Sequence, residues 1–215
     1  MNHLIAPSIL ASDFSNLKNE IDMVNKSDAD WFHLDVMDGV FVPNISFGIP
    51  VIQSMKKHAK KPFDVHLMIV QPERYIEDFK KCGADILTVH YEASTHLHRT
   101  LDAIKKAGMK AGVAINPHTP ISSLEDIMPY MDLLCIMAVN PGFGGQKFIE
   151  TTYKKTSDAR EMANHLNQKL LIEIDGGVTL ANYTRLLESG ADVLVAGNTV
   201  FASDNPIKTI ADLKR

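Results

Sequence analysis

Only two of the 215 residues are cysteine, Cys82 and Cys135, and they stand far apart with no CxxC pair. That argues against a disulfide framework and for a reducing compartment, with both thiols serving as small apolar residues. Long apolar runs are missing too. No segment approaches the ~18 apolar residues of a membrane span, and "MNHLIAPSIL" carries no basic region ahead of a long apolar stretch, so a cytoplasmic chain without a membrane partner is expected. Excess charge is also absent. A net charge of −4, with 22% charged and 45% apolar residues, provides no broad cationic field and argues against nucleic acid as a partner. No linker, low-complexity tract or charge block divides the chain, and the length suits one domain over residues 1–215.

Short β-rich apolar runs recur along the whole sequence: 4–10, 31–36, 63–69, 86–91, 110–115, 133–139, 170–175 and 192–197. Most are followed by a stretch with helical spacing, such as "FSNLKNEIDMVNKS", "PERYIEDFKKCG", "HLHRTLDAIKKAG", "SSLEDIM" and "LANYTRLLESG", several of them ending in glycine. The stretches "GIPVIQSMKKHAKK" and "NPIKTIADLKR" supply further helices. Continuous Val/Ile/Leu runs suggest parallel strands covered by helices. Eight of them alternating with helices favour an α/β fold of the (β/α)8 TIM-barrel type over an open doubly wound sheet.

The polar residues fall where barrel enzymes keep their chemistry, at the C-terminal ends of strands. On the second run His33, Asp35 and Met37 share one face, because side chains alternate with a period of two. The other face, Phe32, Leu34 and Val36, is wholly apolar and suits packing against helices. The third run repeats the pattern with Asp64, His66 and Met68, the seventh ends in Asp175, and the first carries Ser8. A buried carboxylate or imidazole is costly unless paired or metal-bound. Two histidines and two aspartates converging from three strands would meet that condition by holding one divalent cation, with Zn²⁺, Fe²⁺, Mn²⁺ and Co²⁺ all compatible with mixed imidazole and carboxylate ligands.

Three glycine clusters carry a second signal. "NPGFGGQKF" (140–148), which includes Gly142, Phe143, Gly144 and Gly145, follows the sixth run; "DGGV" (175–178), with Gly176 and Gly177, ends the seventh; and "AGNTVF" (196–201), with Gly197 and Asn198, follows the eighth. Glycines let backbone N–H groups approach an anion, and the loops after the last barrel strands often hold phosphate. Lys147 reads as a solvated surface charge, Asp38 as a loop cap, and His90 as a bonded core imidazole or a support for a ligand.

The segments "APSILASDFSNL" (6–17), "HLDVMDGVFVPNISFG" (33–48), "DVHLMI" (64–69), "TVHYE" (88–92), "AGVAINPHTP" (111–120), "VNPGFGGQKFI" (139–149), "EIDGGV" (173–178) and "GADVLVAGNTVF" (190–201) together resemble the ribulose-phosphate 3-epimerase family, in order and over almost the whole chain. The resemblance implies a (β/α)8 barrel and one divalent metal held by His33, Asp35, His66 and Asp175. It also implies interconversion of ribulose 5-phosphate and xylulose 5-phosphate in the pentose phosphate pathway. It places Ser8 and His66 near the substrate, Met37, Met68 and Met137 around the reacting carbons, and Gly142, Gly144, Gly145, Gly177, Gly197 and Asn198 in phosphate-contacting loops. Ala138, His118 and Asn198 depart from the commoner pattern, which leaves fine substrate preference open.

Inverting C3 of a 2-ketose requires taking a proton from one face and returning one to the other. Asp35 and Asp175 are the expected pair, with the metal polarising the ketone and holding a cis-enediolate. Alternatives are the related D-allulose-6-phosphate 3-epimerase activity and a catalytically silent sugar-phosphate-binding barrel. The third run reads "DVHLMI" without the lysine of the DxKxxD motif usual in related decarboxylases and hexulose-phosphate synthases. The outer faces of barrel helices often support assembly, so a homo-oligomer is expected.

Overall fold

The computed structural model describes residues 3–215. Eight strands, β1 (Leu4–Ala6), β2 (Phe32–Met37), β3 (Phe63–Met68), β4 (Ile86–His90), β5 (Lys110–Ile115), β6 (Leu133–Met137), β7 (Leu171–Asp175) and β8 (Val193–Val195), form one sheet in the order β1-β8-β7-β6-β5-β4-β3-β2. Every paired neighbour is parallel. The ring closes between β1 and β2 through a parallel bridge of Ser8 with His33, and by backbone bonds from Asp30 N to Ile5 O at 2.8 Å and from His33 N to Pro7 O at 3.1 Å. This is the (β/α)8 barrel expected from the alternation of apolar runs and helices.

The outer layer is α1 (Leu17–Lys26), α2 (Ile49–Lys56), α3 (Ile76–Lys81), α4 (Leu97–Lys106), α5 (Thr151–Leu166), α6 (Tyr183–Glu188), α7 (Asn198–Phe201) and α8 (Pro206–Leu213). Phe32, Leu34 and Val36 pack outward with Ile21, Val24, Ile52 and Met55 of α1 and α2 in the main apolar core. None of these helices is long and apolar enough to cross a membrane.

Three expected elements are shorter or different, and proline is the reason in two of them. The first run does not continue to residue 10: β1 stops at Ala6, because Pro7 has no N–H for the ladder, and a 3₁₀ turn forms at Ile9–Ala11. "SSLEDIM" does not form a helix of its own but lies across two 3₁₀ turns, Ile121–Leu124 and Met128–Tyr130, the second containing Pro129. The eighth run ends at Val195, and Gly197 caps α7 instead of extending the strand.

Inside the barrel the rungs are set by register. His33 pairs with Asp64, Asp35 with His66 and Met37 with Met68, while Cys135 pairs with Glu173 and Met137 with Asp175. Space is tight: a Cβ on Gly112 would sit 2.2 Å from Thr88 Oγ1, so only glycine fits there.

At the opposite end from the glycine loops a repeated fastening holds the strands. Asp30, Asp85, Asp132 and Asp192 each accept, at 2.8 Å, the backbone N–H of an odd-numbered strand: Ile5 in β1, Phe63 in β3, Ala111 in β5 and Ile172 in β7. Each carboxylate also faces a cation, Lys214 at 2.6 Å, Lys56 at 3.3 Å, Lys105 at 3.2 Å and Arg160 respectively. A hydrogen bond to a charged group contributes about 1.5–3 kcal/mol. Replacing Asp192 with alanine therefore should lower the urea midpoint by an amount equivalent to about 1–3 kcal/mol; an unchanged midpoint would mean that the fastening contributes nothing.

Candidate active site

The sequence places histidines and aspartates on alternating positions of β2, β3 and β7, and the closed barrel brings them to one point. His33 Nε2 lies 3.2 Å from Asp35 Oδ1 and 3.7 Å from Asp175 Oδ2, and His66 Nδ1 lies 3.1 and 3.4 Å from the same two oxygens. His33 and His66 are wholly buried and Asp35 and Asp175 nearly so. One ligand atom from each of the four falls within 4.8 Å of all the others. His33 Nε2 has no hydrogen-bond partner, an orphaned buried nitrogen aimed at two carboxylates. Two imidazoles and two carboxylates in this arrangement fit a divalent cation of the kind that accepts nitrogen and oxygen ligands.

A second tier lies beneath. Asp64, on the same face of β3 as His66, does not join the four; its Oδ2 meets His33 Nδ1 at 2.6 Å. A carboxylate only accepts, so Nδ1 carries a proton and Nε2 is the nitrogen that can offer its lone pair to an ion beside Asp35 and Asp175. Glu173, two residues before Asp175 and wholly buried, faces the same ring at 3.9 Å. Residue-by-residue reading missed Glu173, although "LIEID" puts it on the face of Asp175 and so carried the signal.

The charges are set by competition between burial and neighbours. Burial works against the His33 cation, but the carboxylates of Asp35 and Asp64 outweigh it and hold the ring well above its ordinary 6.5. His66 is raised in the same way by Asp175 and Asp35 against burial. Burial disfavours the Asp35 charge as well, yet His33 and His66 hold its carboxyl far below the usual range, and the same imidazoles lower Asp175. For Glu173 the His33 charge at 3.9 Å is outweighed: burial and the nearby Asp64 push it well above 4.5.

Above the four donors opens a cavity of about 260 Å³. Its floor carries Asp35, Asp175 and Ser8, whose Oγ donates to Asp35 Oδ2 at 2.5 Å. Met37, Met68 and Met137 line the wall, each buried. The rim is built by Gly142, Phe143, Gly144 and Gly145 after β6, by Gly176 and Gly177 after β7, and by Gly197 and Asn198 where α7 begins. All three glycine clusters thus meet on one side of the mouth, beside the short extra helix where barrels commonly hold phosphate. Gly177 takes φ +64° and leaves 2.9 Å between a would-be Cβ and Phe148, so a side chain would displace the neighbouring loop. Asn44 Nδ2 donates to Gly142 O at 2.8 Å and ties the loop after β2 to this rim.

The other singled-out residues settle simply. Asp38 caps its loop, accepting from the N–H groups of Val40, Phe41 and Val70 at 2.8, 2.9 and 2.8 Å. Lys147 is exposed and lies outside the cavity lining. Cys82 and Cys135 are free and buried, with burial pushing both thiols up. His90 stands behind His66, Nε2 to Nε2 at 2.9 Å.

Fold and site together define a barrel protein with a buried histidine–aspartate cluster that fits a divalent cation at its strand ends and a glycine-rich rim above it. The model of the ribulose-phosphate 3 epimerase family matches residues 4–201, and the chain belongs to that family. It is 49% identical over 211 residues to the ribulose-phosphate 3-epimerase of Bacillus subtilis, covering 98% of this chain and 97% of that one. Identity is 47% over 213 residues to the chloroplastic ribulose-5-phosphate-3-epimerase of Arabidopsis thaliana, covering 98% of this chain and 76% of the relative. In fold it also resembles the 3-hexulose-6-phosphate synthase of Salmonella typhimurium, with a TM-score of 0.72 at 16% identity over 98% of this chain and 96% of that one.

The raised imidazoles give a signed pH dependence for protein stripped of metal by a chelator. Groups that gain protons on folding stabilise fully below their unfolded values, 6.5 for His33 and His66 and 4.5 for Glu173, and lose that contribution as pH rises through the folded ones. The urea midpoint of the stripped protein should fall between about pH 6 and about pH 8. Zinc added at the upper end should restore it, because the ion puts positive charge where the lost imidazole protons were and binds the folded protein. A midpoint that climbs over this window without metal would contradict the assignment.

Proposed function

We propose that this chain epimerises C3 of D-ribulose 5-phosphate to D-xylulose 5-phosphate by proton transfer between Asp35 and Asp175. The observation that carries the reading is the convergence of two carboxylates and two imidazoles on the floor of a cavity whose rim is glycine-rich backbone. His33, Asp35, His66 and Asp175 hold one divalent cation, Zn²⁺, Fe²⁺, Mn²⁺ or Co²⁺, and that ion, when bound, supplies positive charge beside the oxygens on which negative charge develops.

The chain's own residues do the rest. The rim at Gly142–Gly145, Gly176, Gly177, Gly197 and Asn198 holds the phosphate and fixes how far the sugar reaches toward the floor. Asp35 and Asp175 arrive from β2 and β7, strands separated by β1 and β8, so they approach the substrate from different sides. One takes the C3 proton, the other delivers one to the opposite face, and the roles exchange in reverse. Ser8 holds one Asp35 oxygen by its 2.5 Å hydrogen bond and so fixes the carboxylate's orientation. Met37, Met68 and Met137 exclude water from the cis-enediolate and offer it no competing acidic proton.

In this reading residues 1–215 work as one catalytic domain, a cytoplasmic isomerase of the pentose phosphate pathway. Its partner is a small phosphosugar, with neither nucleic acid nor membrane, and the chain acts as a homo-oligomer. The test is proton NMR in D₂O with ribulose 5-phosphate in one sample and allulose 6-phosphate in another. Deuterium entering C3 as xylulose 5-phosphate appears is expected, faster with the pentose; a faster hexose would reassign the substrate. No exchange with metal bound would leave a silent binding barrel.

Asp35→Asn and Asp175→Asn should each lose at least about 100-fold in turnover. Metal content has to be measured alongside, since both residues are also ligands in this scheme. Leucine at Met37 and Met68 should preserve turnover better than glutamine does, because apolar water exclusion is their role; equal slowing by both would contradict it.

A further inference from the structure

Behind His66, on the side away from the four donors, a file of hydrogen bonds runs out of the barrel. His66 Nε2 lies 2.9 Å from His90 Nε2, and His90 Nδ1 lies 3.1 Å from Glu92 Oε2. Glu92 Oε1 in turn accepts from the backbone N–H of Asn116 at 2.8 Å and from the Thr119 hydroxyl. Those two residues sit in the loop after β5, whose carbonyls at Asn116, Pro117 and Thr119 accept from Lys155 Nζ at 3.2, 2.7 and 2.7 Å. Around the file the packing is aromatic. The His66 and His90 rings stack at 5.0 Å between centroids, and Phe41 lies 4.6 Å from His90 on the loop after β2.

The protons fit this file in one direction. Glu92 accepts along both oxygens, so His90 donates to it from Nδ1. Two ring nitrogens 2.9 Å apart cannot both carry a proton between them, so His90 Nε2 accepts and His66 Nε2 donates. With Nε2 holding its proton for His90, the nitrogen that can release a proton and offer a lone pair to an ion is Nδ1, the atom that faces Asp35 and Asp175.

We propose that His90 and Glu92 are positioning residues that hold His66 in its Nε2–H tautomer, with Nδ1 presented to the cation site, and so raise the affinity of that site for a divalent ion. The inference rests on the reading of His33, Asp35, His66 and Asp175 as one cation site. It adds what that reading lacks, a mechanical link from the site to the loop after β5. Partners of this kind behind a ligating histidine typically account for about 10–100-fold in metal affinity.

The test uses the zinc-loaded protein and two readouts. Nitrogen-15 NMR of the wild-type rings should find the His66 proton on Nε2 and the His90 proton on Nδ1; a proton on His90 Nε2 would overturn the file. Zinc affinity, by competition with a chelator, is then compared in His90→Phe and His90→Gln. Phenylalanine keeps a ring against Phe41 but has no donor or acceptor, whereas glutamine offers a carbonyl to His66 and an amide N–H to Glu92. His90→Phe should bind zinc about 10–100-fold more weakly, with His90→Gln regaining most of the loss. Wild-type affinity in His90→Phe, or equal losses in both variants, would overturn the proposal. Should His90→Phe not fold, the wild-type spectrum decides alone. A wild-type protein that binds no zinc at His66 would remove the cation reading and this inference together, whereas zinc binding that is indifferent to His90 removes only the inference.

Discussion

Asp35, Asp64, Glu173 and Asp175 all turn their carboxyl groups into the interior of a single closed barrel, where water is excluded and imidazoles supply the opposing charge. An uncompensated buried charge costs several kcal/mol, roughly, even after the surroundings relax. The rest of the interior is arranged around that constraint. His33 answers it twice, with Nδ1 against Asp64 below and Nε2 toward Asp35 and Asp175 above. His66 answers it once and passes its other nitrogen to His90. Glu173, which has no such partner for either oxygen, is the group whose charge the fold suppresses.

This tiering separates support from chemistry. The lower tier, wholly buried, fixes the orientation of the His33 ring; the upper tier opens to the cavity, which Asp35 and Asp175 line. A site held by residues that are themselves locked by packing stays within the narrow geometric tolerance that proton transfer needs. The methionine wall belongs to the same division of labour, since Met37 and Met68 continue the rungs that carry Asp35 and His66 one step higher on β2 and β3.

Most of the architecture was legible because the sequence obeys its own periodicities. Apolar runs of β-branched residues mark the strands, and α3, α4 and α6 end just ahead of Gly83, Gly108 and Gly190, where the glycines led one to expect it. The misjudged boundaries at Pro7 and around Pro129 come from weighing hydrophobicity above a missing backbone donor. Within the site, period two put His33, Asp35, His66 and Asp175 on inward faces, and the resemblance chose Asp35 and Asp175 over Asp64 as ligands. What no one-dimensional pattern carries is depth along the barrel axis. Strand stagger decides that Asp64 and Glu173 fall beneath the site and that His90 falls behind His66, and stagger is a property of ring closure. The nitrogen that each histidine turns to the site is likewise fixed by a partner on another strand.

The fastening at the lower face repeats with a period of two strands: an aspartate at the entry of β2, β4, β6 and β8 grips the amide of the strand before it. The barrel is therefore fastened as four strand pairs, β1–β2, β3–β4, β5–β6 and β7–β8, each with its own clasp, while the basic counter-charge of each clasp comes from a helical segment outside the pair. Those clasps lie at the far end from the glycine rim, so each pair is closed without reference to the glycine-rich loops. Such a body tolerates exchange of upper loops between pairs, and a fold made this way can change its chemistry one pair at a time while the staves stay bound.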